Sequence, residues 1–78
     1  MPLIQVKLIE GVFDQEQKQE IITRLTDAMV SVEGESMRAV TSVVIEEVRS
    51  GEWGIGGKAM TTEAVHALAG KGQKVAVR

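Results

Sequence analysis

The chain has no cysteine among its 78 residues, so no disulfide can staple it and no thiolate can serve as nucleophile or metal ligand. His66 is the only histidine. A zinc site draws on several nitrogen or sulfur ligands, and this composition cannot supply them. His66 therefore reads as a packing or surface residue, with no metal expected. The same poverty argues against serine or cysteine nucleophile machinery. Aromatic residues are nearly absent, with one Phe and one Trp. No aromatic platform interleaves with cations, and the net charge of −2 is mixed in sign, which excludes an evident nucleic-acid surface. No apolar run reaches the length of a membrane span. Nor does the start read as a secretory signal, because Gln5 and Lys7 interrupt Leu3–Ile9 and no cleavage pattern follows. The expectation is a cytoplasmic protein with no nucleic-acid or membrane partner.

Aliphatic residues make up the difference. Hydrophobic residues are 44% of the chain, mostly Val, Ile, Leu, Ala and Met. A chain this short buries a limited share of its surface alone, so that apolar content predicts self-association.

Leu3–Ile9 alternates as a strand, with Ile4, Val6 and Leu8 on one face and Leu3, Gln5, Lys7 and Ile9 on the other. Glu10-Gly11 turns the chain. Asp14 followed by Gln17 is a capping-box pattern that opens a helix from about Gln15 to Val32. Ile21, Ile22, Leu25, Ala28, Met29 and Val32 recur at helical spacing and form its expected apolar stripe, and Gly34 suits its end. Glu35–Arg38 reads as a polar connection, and Ala39–Val48 as a second strand. Strand, helix and strand make a β-α-β unit with parallel strands and a right-handed crossover. Two strands alone are marginal, which again points to completion by another subunit.

After the break at Ser50–Glu52, Trp53-Gly54-Ile55-Gly56-Gly57-Lys58 reads as a tight hairpin or a covering loop. Its letters fit a dinucleotide fingerprint, but the chain is too short for the strands and the acidic residue that such a fold requires. Thr62 is placed to cap a short helix, Glu63–Ala69, and Gln73–Arg78 reads as an extended tail. Glu46 and Glu47 are adjacent on a strand and point to opposite faces, so they form no carboxylate dyad. Trp53 reads as a packing anchor or as one wall of an apolar pocket.

Pro2 is the single proline. With Met1 removed its nitrogen would be a secondary amine with a free lone pair. Burial and nearby cations disfavour its charged form and would suit it to proton transfer. With Met1 present the same nitrogen is a tertiary amide and cannot act as a base.

Pro2, the strand ending Leu8-Ile9-Glu10-Gly11, Asp14 with its Gln/Glu/Lys-rich helix start, and Trp53-Gly54-Ile55-Gly56-Gly57 at this spacing resemble the 4-oxalocrotonate tautomerase family. The resemblance covers about residues 2–60 and makes residues 1–78 a single tautomerase-like domain. It implies a β-α-β subunit whose dimer forms a four-stranded sheet, and dimers that assemble into a hexamer. It implies an isomerase without a cofactor, with Pro2 moving a proton on an enol or unsaturated keto acid, and with the backbone at Ile9 and the ring of Trp53 lining the pocket. The chain departs from the family pattern where arginines hold the substrate. Val12 follows the Glu-Gly turn, and Ser42 stands early in the second strand. Arg38, Arg49, Lys58, Lys74 and Arg78 are the cations left to replace them. The alternative is a catalytically silent oligomer that keeps the fold as a binding or assembly module.

Overall fold

The structure is a computed structural model and describes residues 1–70. The expected tail, Gln73–Arg78, lies outside them, as do Lys74 and Arg78. The element order is β1 (Leu3–Ile9), α1 (Gln15–Glu33), a 3-10 helix (Glu35–Val40), β2 (Ser42–Val48), β3 (Trp53–Ile55), β4 (Lys58–Met60) and α2 (Thr62–Leu68). β1 pairs with β2, and β3 pairs with β4. The first pair is parallel: the Ser42 N–H donates to the Pro2 carbonyl (3.0 Å) at its start, and the Glu10 N–H to the Val48 carbonyl (2.8 Å) at its end. This is the expected β-α-β architecture, with a glycine hairpin and a short helix after it, and among the described residues its two-stranded sheet is open at both edges, consistent with completion by another subunit.

Two compact units are distinguished along the chain. Among the described residues, one comprises Met1–Lys7 and Phe13–Glu46; the other comprises Leu8–Val12 and residues 47–70.

In the first unit, α1 begins as its sequence dictates. The Asp14 side chain accepts from the Gln17 N–H (2.8 Å), and the Gln17 side chain accepts from the Asp14 N–H (2.9 Å). Both bonds satisfy donors that a helix start otherwise leaves open. Gly34, at φ 105°, ends the helix by donating to the Val30 carbonyl (2.8 Å). Ile21, Ile22, Leu25 and Met29 are half-buried as expected. The innermost helix residue, however, is Val30 at 6% exposure, while Val32 is 85% exposed and Ala28 is exposed too. The apolar stripe thus turns away from Val32 in the last turn of the helix. In the sheet Ile4, Val6, Val43 and Ile45 are half-buried, while Leu3, Gln5, Lys7, Val44 and Glu46 are exposed, which is the period of two expected of strands covered on one face.

The connection from α1 to β2 differs from its expected form. Residues 35–40 wind into a 3-10 helix, and the strand begins at Ser42, not Ala39. Arg38 holds the winding by binding Glu35 within it and Asp27 on α1. The Thr41 hydroxyl then donates back to the Met37 carbonyl (2.8 Å), with the Glu33 carboxylate also beside it. These side-chain bonds outweigh the strand preference of Ala39-Val40-Thr41.

In the second unit, β3 and β4 join through Gly56 and Gly57, at φ 59° and 84°. Two consecutive positive φ values mark the two-residue turn that matches strand twist, and glycine reaches them without strain. α2 starts one residue earlier than expected. Thr61 is its cap, accepting from the Ala64 N–H (3.1 Å), and Thr62 is freed for another contact.

Candidate functional site

Pro2 stands just before β1 and is half-buried. Its carbonyl is fixed by the Ser42 N–H, so the ladder holds the residue on its C-terminal side. On its other side Met1 is 87% exposed. Removing Met1 would therefore sacrifice little buried surface and would leave the Pro2 nitrogen as the end of an anchored strand.

Ile9 closes β1 and is 6% exposed. The turn after it is clasped by two other segments of the second unit, the loop at Ser50 and helix α2. The Glu10 carboxylate accepts from the Ser50 N–H (3.0 Å), and the Ser50 hydroxyl accepts from the Thr62 N–H (2.9 Å). The Thr62 hydroxyl donates to the Glu10 carbonyl (2.5 Å). His66 Nε2 lies 3.1 Å from the Gly11 carbonyl, which can only accept, so Nε2 carries the proton in this contact. His66 has the structural role expected of it. The described residues contain no group of three His, Cys, Asp or Glu side chains able to hold a metal ion.

Trp53 opens β3, half-buried, and pairs with Met60. The hairpin is tied to the preceding loop by the Gly51 N–H, which donates to the Met60 carbonyl (2.8 Å). Ile9 and Trp53 thus belong to one unit, and Pro2 to the other.

The structure sorts the cations. Lys7 pairs with Glu46, Arg24 with Glu20, and Lys18 also has a partner. Arg38 is held by two carboxylates, Glu35 and Asp27. The Arg38 guanidinium holds the Glu35 carboxyl below its usual range through their hydrogen bond, and the two acids stabilise the charged form of Arg38. Both carboxylates engage the Arg38 guanidinium within this chain. Among the described residues, Arg49 and Lys58 remain without a side-chain partner. Ser42 begins β2, and the strand residues that share its face are Val44, Glu46 and Val48. No cation stands on that face of the strand.

A short β-α-β chain with an open two-stranded sheet and a glycine hairpin after it defines a class of small α/β proteins that complete their sheets by assembly. A family model described as "Tautomerase enzyme" matches residues 2–63, and this chain belongs to the tautomerase family, within the 4-oxalocrotonate tautomerase group. It is 34% identical over 61 residues to probable tautomerase K2 of Dickeya dadantii, an alignment covering 78% of this chain and 90% of that one. A probable tautomerase of Staphylococcus epidermidis is 42% identical over 57 residues, covering 73% and 90%. Among solved structures, an apo unfused 4-oxalocrotonate tautomerase superposes with a TM-score of 0.68 at 33% identity, covering 76% of this chain and 93% of its own. A heterohexameric 4-oxalocrotonate tautomerase from Chloroflexus aurantiacus gives a TM-score of 0.69 at 30% identity, covering 77% and 94%.

Proposed function

We propose that this protein is a tautomerase that interconverts enol and keto forms of an unsaturated or α-keto acid, with Pro2 as the proton carrier once Met1 is removed. The lone pair of the Pro2 nitrogen takes the enol O–H proton. The electrons of that bond form the carbonyl, the carbon–carbon double bond carries its pair to carbon, and the Pro2 ammonium returns the proton there. Atoms and charge balance without a cofactor. Ile9, through its backbone, and Trp53, through its ring, line the pocket. The observation that carries the reading is the anchored Pro2 beneath an exposed Met1 in a chain of this family.

The working form is a homo-oligomer built from dimers, with a hexamer as the expected end state and a cytoplasmic location. Leu3 (59% exposed) and Val44 (42%) leave apolar surface on the open sheet. Pro2 and Ile9 stand at opposite ends of β1, so a small substrate meets both only if they come from different protomers.

The test is ketonisation of phenylenolpyruvate and 2-hydroxymuconate by protein whose intact mass shows loss of Met1, beside Met1-retaining protein and Pro2→Ala. General acid–base catalysis typically contributes 10²- to 10⁴-fold, and the Met1-retaining form should lose about that much. Equal rates in the two forms would overturn the assignment of Pro2. The absence of a cation at Val12 and Ser42 favours a second reading, a silent binding or assembly module, and rates no better than buffer would select it.

A further inference from the structure

The hairpin offers a replacement for the missing cations. Its register pairs Trp53 with Met60, Gly54 with Ala59, and Ile55 with Lys58. Paired residues of an antiparallel ladder share a face, and residues two apart along a strand share it as well. Trp53, Ile55, Lys58 and Met60 therefore project from one side. The other side carries only Gly54 and Ala59. All the side-chain bulk of the hairpin is on the face of the tryptophan, and Lys58 is the one charge on it. Lys58 is diagonal to Trp53, a placement of about 7–8 Å that long side chains and aromatic rings bridge. Ile55 beside it is 58% exposed. The Gly56-Gly57 turn pins the arrangement, because a slip of one residue would send Lys58 to the opposite face. Lys58 also has no partner among the described residues.

We infer that Lys58 is the carboxylate-binding residue of this tautomerase. It holds the acid group of the substrate while Trp53 and Ile55 carry the unsaturated body, in place of the arginines absent at Val12 and Ser42. This rests on the reading of Trp53 as a pocket wall given above. The ligand it selects is an unsaturated acid with an apolar body and one carboxylate at its end. An ammonium is a compact charge on a flexible stem and suits such a ligand without the planar fork that arginine imposes.

Binding tests this apart from catalysis. Trp53 is the only tryptophan, so its fluorescence reports the hairpin alone. Cinnamate and the neutral cinnamamide are titrated against mature full-length protein and against Lys58→Ala, Lys58→Arg and Arg49→Ala. The native protein should prefer the acid. Lys58→Ala should weaken cinnamate about tenfold, the lower end for a charged hydrogen bond near solvent, and leave cinnamamide unchanged. Lys58→Arg should retain most of the preference, and Arg49→Ala all of it. Unchanged cinnamamide binding shows that the hairpin still folds. An acid-to-amide ratio that survives Lys58→Ala, one that disappears with Arg49→Ala instead, or no saturable quenching by cinnamate would each overturn the inference. If Pro2 proves dispensable for turnover while the ratio falls in Lys58→Ala, the catalytic reading fails and the binding site stands.

Discussion

The Thr62 hydroxyl donates to the Glu10 carbonyl at 2.5 Å, joining the first turn of α2 to the turn that ends β1, 52 residues earlier in the chain. The Cβ of an alanine at Gly11 would come within 3.0 Å of Thr62 Cγ2, so the two segments are in contact as well as bonded. Thr62→Val keeps the shape and removes the donor. It should destabilise the protein by about 1 kcal/mol, the usual net worth of such a bond, in urea unfolding. Gly11→Ala should cost more, because φ +80° strains any L side chain there and the contact with Thr62 adds to it. A Gly11→Ala variant no less stable than Thr62→Val would mean that the turn gives way to a new shape.

Much of this architecture is legible in the sequence. Asp14 and Gln17 specify the start of α1, Gly34 its end, and the glycine pair the hairpin, because each acts through backbone groups within three or four residues. The clasp is not legible, since Glu10, Ser50 and Thr62 are distant in sequence and each is an ordinary surface residue on its own. The expectation that Thr62 caps α2 fails for the same reason: Thr61 can make the local bond, and only the fold gives Thr62 a distant one. The 3-10 helix is hidden behind the β-branched residues after it, whose preference is overruled by Arg38 reaching Asp27, 11 residues away. Of the candidate site, Pro2, Ile9 and Trp53 are marked by motif. The one-sided hairpin is visible only through the strand register, although the two-glycine spacing between Ile55 and Lys58 carries the signal in principle.

The hairpin turn makes a second stability prediction. A Cβ added at Gly56 or Gly57 would meet nothing within 4 Å, so a substitution there brings no clash and the penalty is purely conformational. Gly57→Val should cost about 1–2 kcal/mol, since a β-branched residue resists φ +84°. Gly57→Asn should cost less, because asparagine tolerates the left-handed region. Thermal unfolding of the pair against native protein separates them. Equal penalties would point to a role for Gly57 other than its dihedral.

Glu35 and Arg38 set an acid response. The carboxyl of Glu35 is held below its usual range chiefly by the Arg38 hydrogen bond, so its folded form binds protons less readily than its unfolded form. The stability it contributes is full above the ordinary glutamate range and is lost as pH falls through the lower folded value. Glu35→Gln should therefore be slightly less stable than native protein near neutrality and converge with it in acid. The pair is at the surface, so the difference should shrink in high salt. Parallel pH–stability curves for the two proteins would show that the pair contributes nothing.

The bond from Ser42 to Pro2 allows a test of what the missing arginine did. The Ser42 N–H donates to the Pro2 carbonyl at 3.0 Å, and a side-chain substitution leaves that backbone bond in place. Ser42 is exposed at the first position of β2, so an arginine fits there without displacing any core residue. In mature protein the new guanidinium would stand near the Pro2 amine and disfavour its protonated form. Lowering the pKa of that amine keeps the free base at lower pH, so the acid limb of the pH–rate profile should move to lower pH in Ser42→Arg. The same cation would attract a carboxylate, and kcat/KM for 2-hydroxymuconate should rise about tenfold at neutral pH, with a smaller gain for phenylenolpyruvate, which has one carboxylate fewer. A Ser42→Lys variant should reproduce the displaced acid limb but less of the substrate preference, because it supplies charge without the two-pronged fork. An acid limb that stays in place in both variants would mean that the group titrating in the rate profile is not the Pro2 amine.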